Sequence, residues 1–239
     1  MRAALITDWC KPEDLTLVNA PSPTPGPGEI RIRVRAAGVN FADGLIIQGK
    51  YQEKPPFPFA PGFEVAGEVA ELGPGATRFR VGDAVFAVLD HGGYAEEIVT
   101  AEENVHALAS GMDFATGAAF PIAYGTSHFA LMDKARLTAG ETLLVHGAAG
   151  GVGLTAVECG KAAGARVIAT AGGADRLEVC KAHGADAGID YKSEDVRERV
   201  KALTDGHGVD VVYDPVGGPV FEASIRCTAP DGRLLVIGF

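Results

Sequence analysis

The stretch from Thr142 to Gly153 constrains the fold of this chain more than any other part of the sequence. An apolar run of strand character, Thr142–Val145, leads into a cluster of glycines. A helical pattern follows at once, because small or apolar residues recur every three or four positions, at Val152, Ala156, Cys159 and Ala163. Strand, glycine turn and helix are the start of a nucleotide-binding βαβ unit.

The glycine register predicts a dinucleotide site. It reads Ala148-x-Gly150-x-x-Gly153, with alanine at the first position. Glycines let the backbone turn tightly and approach a pyrophosphate closely. The start of the helix then presents free N–H groups and a positive dipole end to the phosphates. We therefore predict cofactor contacts at Ala149, Gly150, Gly151 and Val152.

Strand and helix patterns alternate through the second half, which favours a parallel sheet. The predicted strands are 142–147, 165–170, 187–190, 209–213 and 233–238. Ser193 is a candidate N-cap for one intervening helix and Asp175 for another. A doubly wound fold normally has six strands, and five leave an apolar strand at an unpaired edge. We therefore expect this chain to be a truncated version of a longer protein.

The first half has short strands separated by glycine and proline turns. Ile30, Ile32 and Val34 alternate with arginines, a period of two that marks a half-buried strand. Further strands are predicted at 2–8, 63–73, 81–87 and 93–99, which suggests a partly open barrel. The pattern becomes helical near Ala115, and we predict a domain boundary at about residue 122, giving domains 1–122 and 123–239.

Composition limits the partners and the compartment. The 239 residues carry a net charge of −10, which argues against nucleic acid or an anionic membrane surface as a partner. No apolar run reaches membrane-spanning length. The four cysteines lie far apart with no C-x-x-C pair, as expected of thiols in a reducing compartment. We predict a cytoplasmic protein.

The end of the second strand of the βαβ unit bears on the choice of cofactor. NAD sites place Asp or Glu there to bind the ribose 2′-OH. Here the strand ends in Ala171-Gly172-Gly173, so a 2′-phosphate meets no repulsion at Gly172. Arg176 and Tyr191, with Lys192, are candidate phosphate partners. Arg176 could instead be a solvated helix residue, and Asp175 could mimic the NAD acid. We predict NADPH.

The chain resembles the zinc-independent quinone oxidoreductases of the medium-chain dehydrogenase/reductase superfamily. The matching segments are Ala36–Asp43, Pro61–Gly67, Val81–Phe86, Gly92–Ala95, Ala123–Thr126, Gly147–Gly153, Asp190–Lys192, Tyr213–Gly218 and Gly232–Phe239. The resemblance implies an α/β protein with a GroES-like β-barrel catalytic domain (1–122) and an incomplete, roughly five-stranded Rossmann doubly wound parallel sheet (123–239) that binds NADPH. It also implies an active site in the cleft between them and a homodimer when full length.

The same resemblance argues against a metal. Asn40 and Phe63 stand where alcohol dehydrogenases of the superfamily have a cysteine and a histidine that bind zinc, although Glu64 remains. Amide and phenyl groups do not supply the ligands that zinc needs. We predict no metal site.

Without zinc, another group must stabilise the oxygen that gains charge as hydride arrives. The amide N–H of Asn40 and the hydroxyl of Tyr51 are our candidate donors. By resemblance, Thr126 contacts the carboxamide of nicotinamide, Val216 and Gly217 lie along the cofactor, and Phe239 belongs to the cofactor site. Asn40 could instead cap a turn, and Tyr51 could anchor a loop. Asp43 and Glu64 are interpreted as supporting residues.

The predicted activity is hydride transfer from NADPH to a quinone or similar activated carbonyl. Two alternatives stay open at the level of sequence. One is an NADPH-dependent enoyl or alkenal reductase, which would act on an unsaturated carbonyl. The other is a non-catalytic NADPH-binding protein akin to lens crystallins recruited from this family.

Overall fold

The computed structural model describes residues 1–238, so the predicted cofactor residue Phe239 lies outside the described residues. The chain divides into two compact units, Met1–Ile122 and Ala123–Phe239. The first unit contains strands β1 (Arg2–Ala3), β2 (Val18–Asn19), β3 (Glu29–Ala37), β4 (Glu64–Leu72), β5 (Ala84–Val88), β6 (Glu97–Ala101) and β7 (Val105–Ala107), and helices α1 (Phe41–Ile47) and α2 (Phe114–Ala119).

Five strands of the first unit form one antiparallel sheet in the order β6-β3-β4-β5-β7. The alternation predicted for β3 is confirmed, because Ile30 and Ile32 are fully buried. Arg31 lies on the other face and forms ion pairs with Glu71 and Glu97 on the two neighbouring strands. Arg35 pairs likewise with Glu68 on β4, so two arginines of β3 form cross-strand ion pairs on the outer face of the sheet.

Three predicted strand boundaries in this unit were wrong. The first strand is only Arg2–Ala3, because beyond it the chain makes a single isolated bridge between Ile6 and Phe59. β5 begins at Ala84 rather than residue 81, since Gly82 adopts a φ of +93° in a turn. β6 begins at Glu97 rather than residue 93, because the preceding segment bonds to the Pro61–Gly62 loop.

The second unit alternates strands and helices. Its elements are β8 (Thr142–Val145), β9 (Arg166–Ala171), β10 (Ala187–Asp190), β11 (Val209–Asp214), β12 (Thr228–Val236), α4 (Gly151–Ala162), α5 (Ala174–Ala182), α6 (Val196–Leu203) and α7 (Pro219–Ile225). Helix α3 (Pro121–His128) and a π-helical turn, Phe129–Lys134, come before β8. The region in which the sequence pattern becomes helical near Ala115 thus contains α2, α3 and this π-helical turn.

All five strands of the second unit are parallel, in the order β10-β9-β8-β11-β12. With β8 counted as the first, this is the 3-2-1-4-5 order of a doubly wound sheet, which confirms the predicted fold. Leu143 and Leu144 are both fully buried, in clusters on opposite faces. Helices therefore cover both faces of the sheet.

Both predicted helix caps in this unit were wrong. Helix α6 begins at Val196, and its N-cap is Asp195, whose carboxylate accepts a hydrogen bond from the N–H of Glu198 at 2.9 Å. Asp175 is the second residue of α5 rather than its cap. Gly173 takes the cap position with a φ of +104°, a backbone conformation that disfavours a side chain. Within residues 1–238 no helix is long and apolar enough to cross a membrane.

Candidate active site

The glycine turn joins β8 to α4 at the predicted dinucleotide site. Gly147 has a φ of +55°, and its carbonyl accepts a hydrogen bond from the N–H of Gly150 at 2.9 Å. A Cβ on Gly153 would lie 2.8 Å from the Cα of Ala148, so only glycine lets the helix pack this closely on the turn. Gly150 and Gly151 are exposed, and the first N–H groups of α4 have no partner within the helix. The turn therefore fits a phosphate group.

The loop after β11 lies beside this turn. β8 and β11 are neighbours, and the strand order reverses between them, which is where open α/β sheets bind ligands. Asp214 accepts hydrogen bonds from the N–H groups of Val216 and Gly217, at 2.8 and 2.9 Å. A Cβ on Gly147 would lie 3.4 Å from a Val216 methyl carbon. The structure thus brings the two predicted cofactor segments together.

Helix α3, which carries Thr126, packs against the start of α4 through Ser127. Thr126 is half-buried, and its neighbour Ser127 donates a hydrogen bond to the carbonyl of Val152 at 2.9 Å. The Ser127 hydroxyl also bonds to the hydroxyls of Thr155 and Tyr213, at 2.8 and 2.9 Å. Sequence reasoning missed this buried hydroxyl cluster, although Ser127 directly follows a segment that it did identify.

The end of β9 carries no acid at its tip, as predicted. A Cβ on Gly172 would lie 2.7 Å from the Tyr191 hydroxyl oxygen and 2.9 Å from Cε of Lys192, so both side chains lie against this glycine. Arg176 is exposed at the third position of α5. The carboxylate of Asp190 accepts hydrogen bonds from the backbone N–H groups of Lys192 and Gly173, and these bonds lower its pKa.

A polar network surrounds Asn40 in the first unit. The Asn40 N–H donates to the Asp43 carboxylate at 2.6 Å, and the Tyr94 hydroxyl donates to the same oxygen at 3.0 Å. The Asn40 side-chain amide donates to Glu64 at 2.8 Å. Burial raises the pKa of both Asp43 and Glu64. The interpretation of these two acids as supporting residues fits their contacts, while Asn40 also precedes α1 at its N-cap.

Tyr51 and Asn40 lie at the two ends of the segment that contains α1. The Tyr51 ring is half-buried and packs on Phe63 with 5.4 Å between ring centroids. Phe63 is itself buried and directly precedes Glu64, the partner of the Asn40 amide. Val39 and Phe41, on either side of Asn40, are 83% and 86% exposed. Asn40 is thus flanked in sequence by two exposed apolar residues, while its amide is bonded to the buried Glu64.

His146, to which the sequence assigned no role because its spacing to other histidines is not that of metal ligands, is buried where β8 ends. Its Nε2 lies 2.8 Å from the Ser224 hydroxyl on α7, and its Nδ1 lies 3.0 Å from the Thr170 hydroxyl on β9. The Ser224 hydroxyl also lies 2.9 Å from the carbonyl of Val220. Burial lowers the pKa of His146 to about 4, against the opposite effect of the Asp214 charge. The neutral ring thus joins three elements at the switch point.

No metal-ligand cluster accompanies these residues in the described part of the chain. Residues 1–238 contain no group of three or more His, Cys, Asp or Glu that could hold a metal ion. At the two positions where alcohol dehydrogenases have zinc ligands, this chain has the buried phenyl ring of Phe63 and the side-chain amide of Asn40, which donates to Glu64.

Two family models match the chain, one in each half. Residues 26–139 match the alcohol dehydrogenase GroES-like domain, and residues 151–239 match the zinc-binding dehydrogenase model. A quinone oxidoreductase-like protein 2 homolog of Nematostella vectensis is 43% identical over 85% of this chain. The chain spans 56% of the length of that relative.

Solved structures show the same similarity. Escherichia coli quinone oxidoreductase, in complex with NADPH, superposes with a TM-score of 0.94 at 32% identity, over 99% of this chain and 72% of that one. The CurK enoyl reductase superposes with a TM-score of 0.93 at 30% identity, over 100% of this chain and 74% of that one. On these matches and on the fold described above, the chain belongs to the quinone oxidoreductase family of the medium-chain dehydrogenase/reductase superfamily.

Proposed function

We propose that this protein is an oxidoreductase that transfers a hydride from NADPH to a quinone or a similar activated carbonyl compound, without a metal. The observation that carries the proposal is the glycine turn at the switch point of the parallel sheet, with Val216 beside it. NADPH is the hydride donor in such a reaction. The NADPH complex of the Escherichia coli relative supports this choice of cofactor.

The preference for NADPH rests on the end of β9. Gly172 presents no carboxylate there, and Tyr191 and Lys192 lie against it. The tyrosine hydroxyl and the lysine ammonium can each donate a hydrogen bond to a 2′-phosphate. The exposed guanidinium of Arg176 can donate two more to the same group.

In the proposed reaction the chain supplies hydrogen bonds rather than a Lewis acid. The remaining amide N–H of Asn40 and the hydroxyl of Tyr51 would donate to the acceptor oxygen as it gains charge. Thr126 would orient the carboxamide of nicotinamide. A quinone is already a strong electrophile, so solvent can supply the proton. The metal-free assignment rests on Asn40 and Phe63, whose side chains are poor zinc ligands.

The acceptor class can be tested by following NADPH absorbance with a panel of quinones, alkenals and enoyl thioesters. We expect the highest kcat/KM with quinones. The similarity to the CurK enoyl reductase favours a second candidate, an enoyl reductase, and faster turnover of unsaturated carbonyls would establish that candidate instead. Binding of NADPH with no turnover of any acceptor would indicate a non-catalytic protein.

The 2′-phosphate contact predicts a cofactor-selective defect. Arg176→Ala should raise the KM for NADPH about tenfold and leave the KM for NADH nearly unchanged, since one charge-assisted hydrogen bond contributes about 1.5 kcal/mol or more. Arg226→Ala, at the exposed C-cap of α7, is the matched control and should affect the KM of neither cofactor. Equal effects of Arg176→Ala on both cofactors would refute the role.

The homodimer stays a prediction from the resemblance, and the cytoplasmic location stays a prediction from composition. A homodimer of the full-length protein would appear in size-exclusion chromatography with light scattering, and cell fractionation would test the cytoplasmic location.

A further inference from the structure

The carboxylate of Glu64 is buried in the first unit and is held in place by its neighbours. The residue is 2% exposed, and one carboxylate oxygen accepts a hydrogen bond from the Ile122 N–H at 2.8 Å. A Cβ added to Gly38 would overlap the same carboxylate, so the glycine is what leaves room for it. The Gly38 N–H donates to the Glu64 carbonyl at 3.1 Å, which holds the two backbones together. The carboxylate therefore has little freedom to move.

The backbone of Asn40 is held from a different direction. Its N–H donates to the Asp43 carboxylate, which the Tyr94 hydroxyl holds in turn. The Asp43 N–H donates back to the Asn40 carbonyl at 3.1 Å. With the backbone held, Asn40 can still exchange its amide oxygen and nitrogen. Its place in a capping box with Asp43 favours the orientation that turns the amide oxygen towards the start of α1, which agrees with the bond from its NH2 group to Glu64.

An ionised carboxylate accepts hydrogen bonds and donates none. The Asn40 side chain must therefore turn its NH2 group to Glu64, at 2.8 Å, and its Oδ1 away from it. We propose that Glu64 is a positioning residue that selects this one orientation of the Asn40 amide, so that Asn40 presents a single remaining N–H and its Oδ1 in a fixed arrangement to the acceptor. This inference rests on the proposed function, and it assigns to Glu64 a role that acts through Asn40.

The proposal includes a pH dependence. Burial raises the pKa of Glu64, and the nearby Asp43 charge raises it further, while the bonds from Ile122 and Asn40 act in the opposite direction. The titratable groups that the structure places against Glu64 are Asp43 of α1 and Tyr94 in the loop before β6. Protonation puts a hydroxyl group where the Asn40 N–H points, and the amide loses its selected orientation. Turnover therefore falls as the pH decreases through the raised pKa.

The test uses Glu64→Gln, which keeps the shape of the side chain. Its amide oxygen must accept from the Ile122 N–H, so its NH2 group faces Asn40 and the Asn40 amide exchanges its ends. We expect kcat with a quinone to fall at least tenfold, with an unchanged KM for NADPH and without the acid limb of the pH profile. In the double variant Asn40→Asp/Glu64→Gln, the glutamine NH2 group can donate to the new carboxylate, so the contact between positions 40 and 64 is restored. Position 40 then has no side-chain N–H to donate to the acceptor, and the double variant should stay inactive.

Glu68→Gln is the matched control, because Glu68 lies on the same strand and its carboxylate pairs with the exposed Arg35 at 3.0 Å. It should keep the wild-type kcat. An unchanged or higher kcat in a folded Glu64→Gln variant would overturn the proposal.

A readout that does not depend on turnover separates this inference from the proposed function. In ¹⁵N NMR, the side-chain NH2 signals of Asn40 should shift with pH in the wild-type protein and lose that dependence in Glu64→Gln. If the wild-type protein reduced no acceptor but showed this titration, only the proposed function would fail. If the Asn40 signals did not respond to pH in either protein, the positioning role would be wrong.

Discussion

Gly153 and Gly151 lie two residues apart in the same turn of α4, yet they serve different physical purposes. A side chain at Gly153 would collide with the backbone of the preceding turn, whereas one at Gly151 would meet nothing within 4 Å. His146, just before the glycines, is buried with both ring nitrogens bonded. At the scale of single residues, local sequence therefore shows that glycines are present, and only the packing shows which one is required.

The contrast between the two glycines leads to a stability prediction. Gly153→Ala should lower the free energy of unfolding by at least about 2 kcal/mol, because the backbone contacts cannot relax without shifting the turn. Gly151→Ala should be neutral or stabilise by about 0.5 kcal/mol, since alanine is the better helix former. Urea denaturation of both variants checks this. If both variants lost the same free energy of unfolding, the loss would come from the conformation of the turn and not from the close approach of Gly153 to the backbone.

Acid should destabilise the second unit through His146. Its pKa is 6.5 in an unfolded chain and about 4 in the fold, so below pH 6.5 the unfolded state takes up the proton and the folded state does not. Protonation of His146 costs nothing above pH 6.5, and the free energy of unfolding falls by on the order of 3 kcal/mol as the pH decreases towards 4. His146→Gln should show a smaller acid-induced loss in denaturation curves. His207→Gln, at an exposed histidine, should follow the wild type.

At the scale of elements, β8, the glycine turn and α4 agree with the pattern read from the sequence, because the turn, the apolar run and the helical spacing are all local. Helix α6 illustrates the opposite case. Ser193, Glu194 and Asp195 are all reasonable first-turn or cap residues. The Ser193 N–H bonds instead to the Asp190 carbonyl, which continues the turn after β10 and moves the helix start to Val196.

The observed start of α6 can be checked by mutation. Asp195→Ala should lower the free energy of unfolding by about 1 kcal/mol, because the Glu198 N–H loses its partner. Ser193→Ala should cost less than about half of that. Urea denaturation measures both changes. A larger loss of stability for Ser193→Ala than for Asp195→Ala would show that Ser193 is the N-cap, as the sequence suggested.

At the scale of the whole molecule, each unit has its own sheet and its own buried clusters. In the second unit the edge strand β12 is tied to distant parts of the chain by Arg233. Its guanidinium binds both carboxylate oxygens of Glu141, at 2.7 and 2.9 Å, and also donates to the carbonyl of Ala135. No local pattern in the sequence pairs residues 92 positions apart.

This ion pair predicts an acid-sensitive contribution to stability. Its hydrogen bonds with Arg233 lower the pKa of Glu141 from 4.5 to about 2, so the contribution is complete above pH 4.5 and is lost as the pH falls towards 2. At pH 7, Glu141→Gln should lower the free energy of unfolding by about 2 kcal/mol, less than full burial would give, because both side chains keep some exposure. The difference from the wild type should narrow below pH 4.5. Glu178→Gln, which breaks an exposed pair with Lys181, should cost less than about 0.5 kcal/mol.

The sequence by itself determined the parallel sheet, the glycine turn and the missing acid at the end of β9, because strand periodicity, backbone freedom and charge act within a few consecutive residues. It also identified Asn40, Tyr51 and Glu64 as candidate site residues, but only with the help of the resemblance to a family. Only the tertiary structure decided that Glu64 accepts from the Asn40 amide, that Tyr191 lies against Gly172, and that His146 joins β9 to α7. Those contacts depend on the satisfaction of buried polar groups between segments far apart in the chain, which no local pattern encodes.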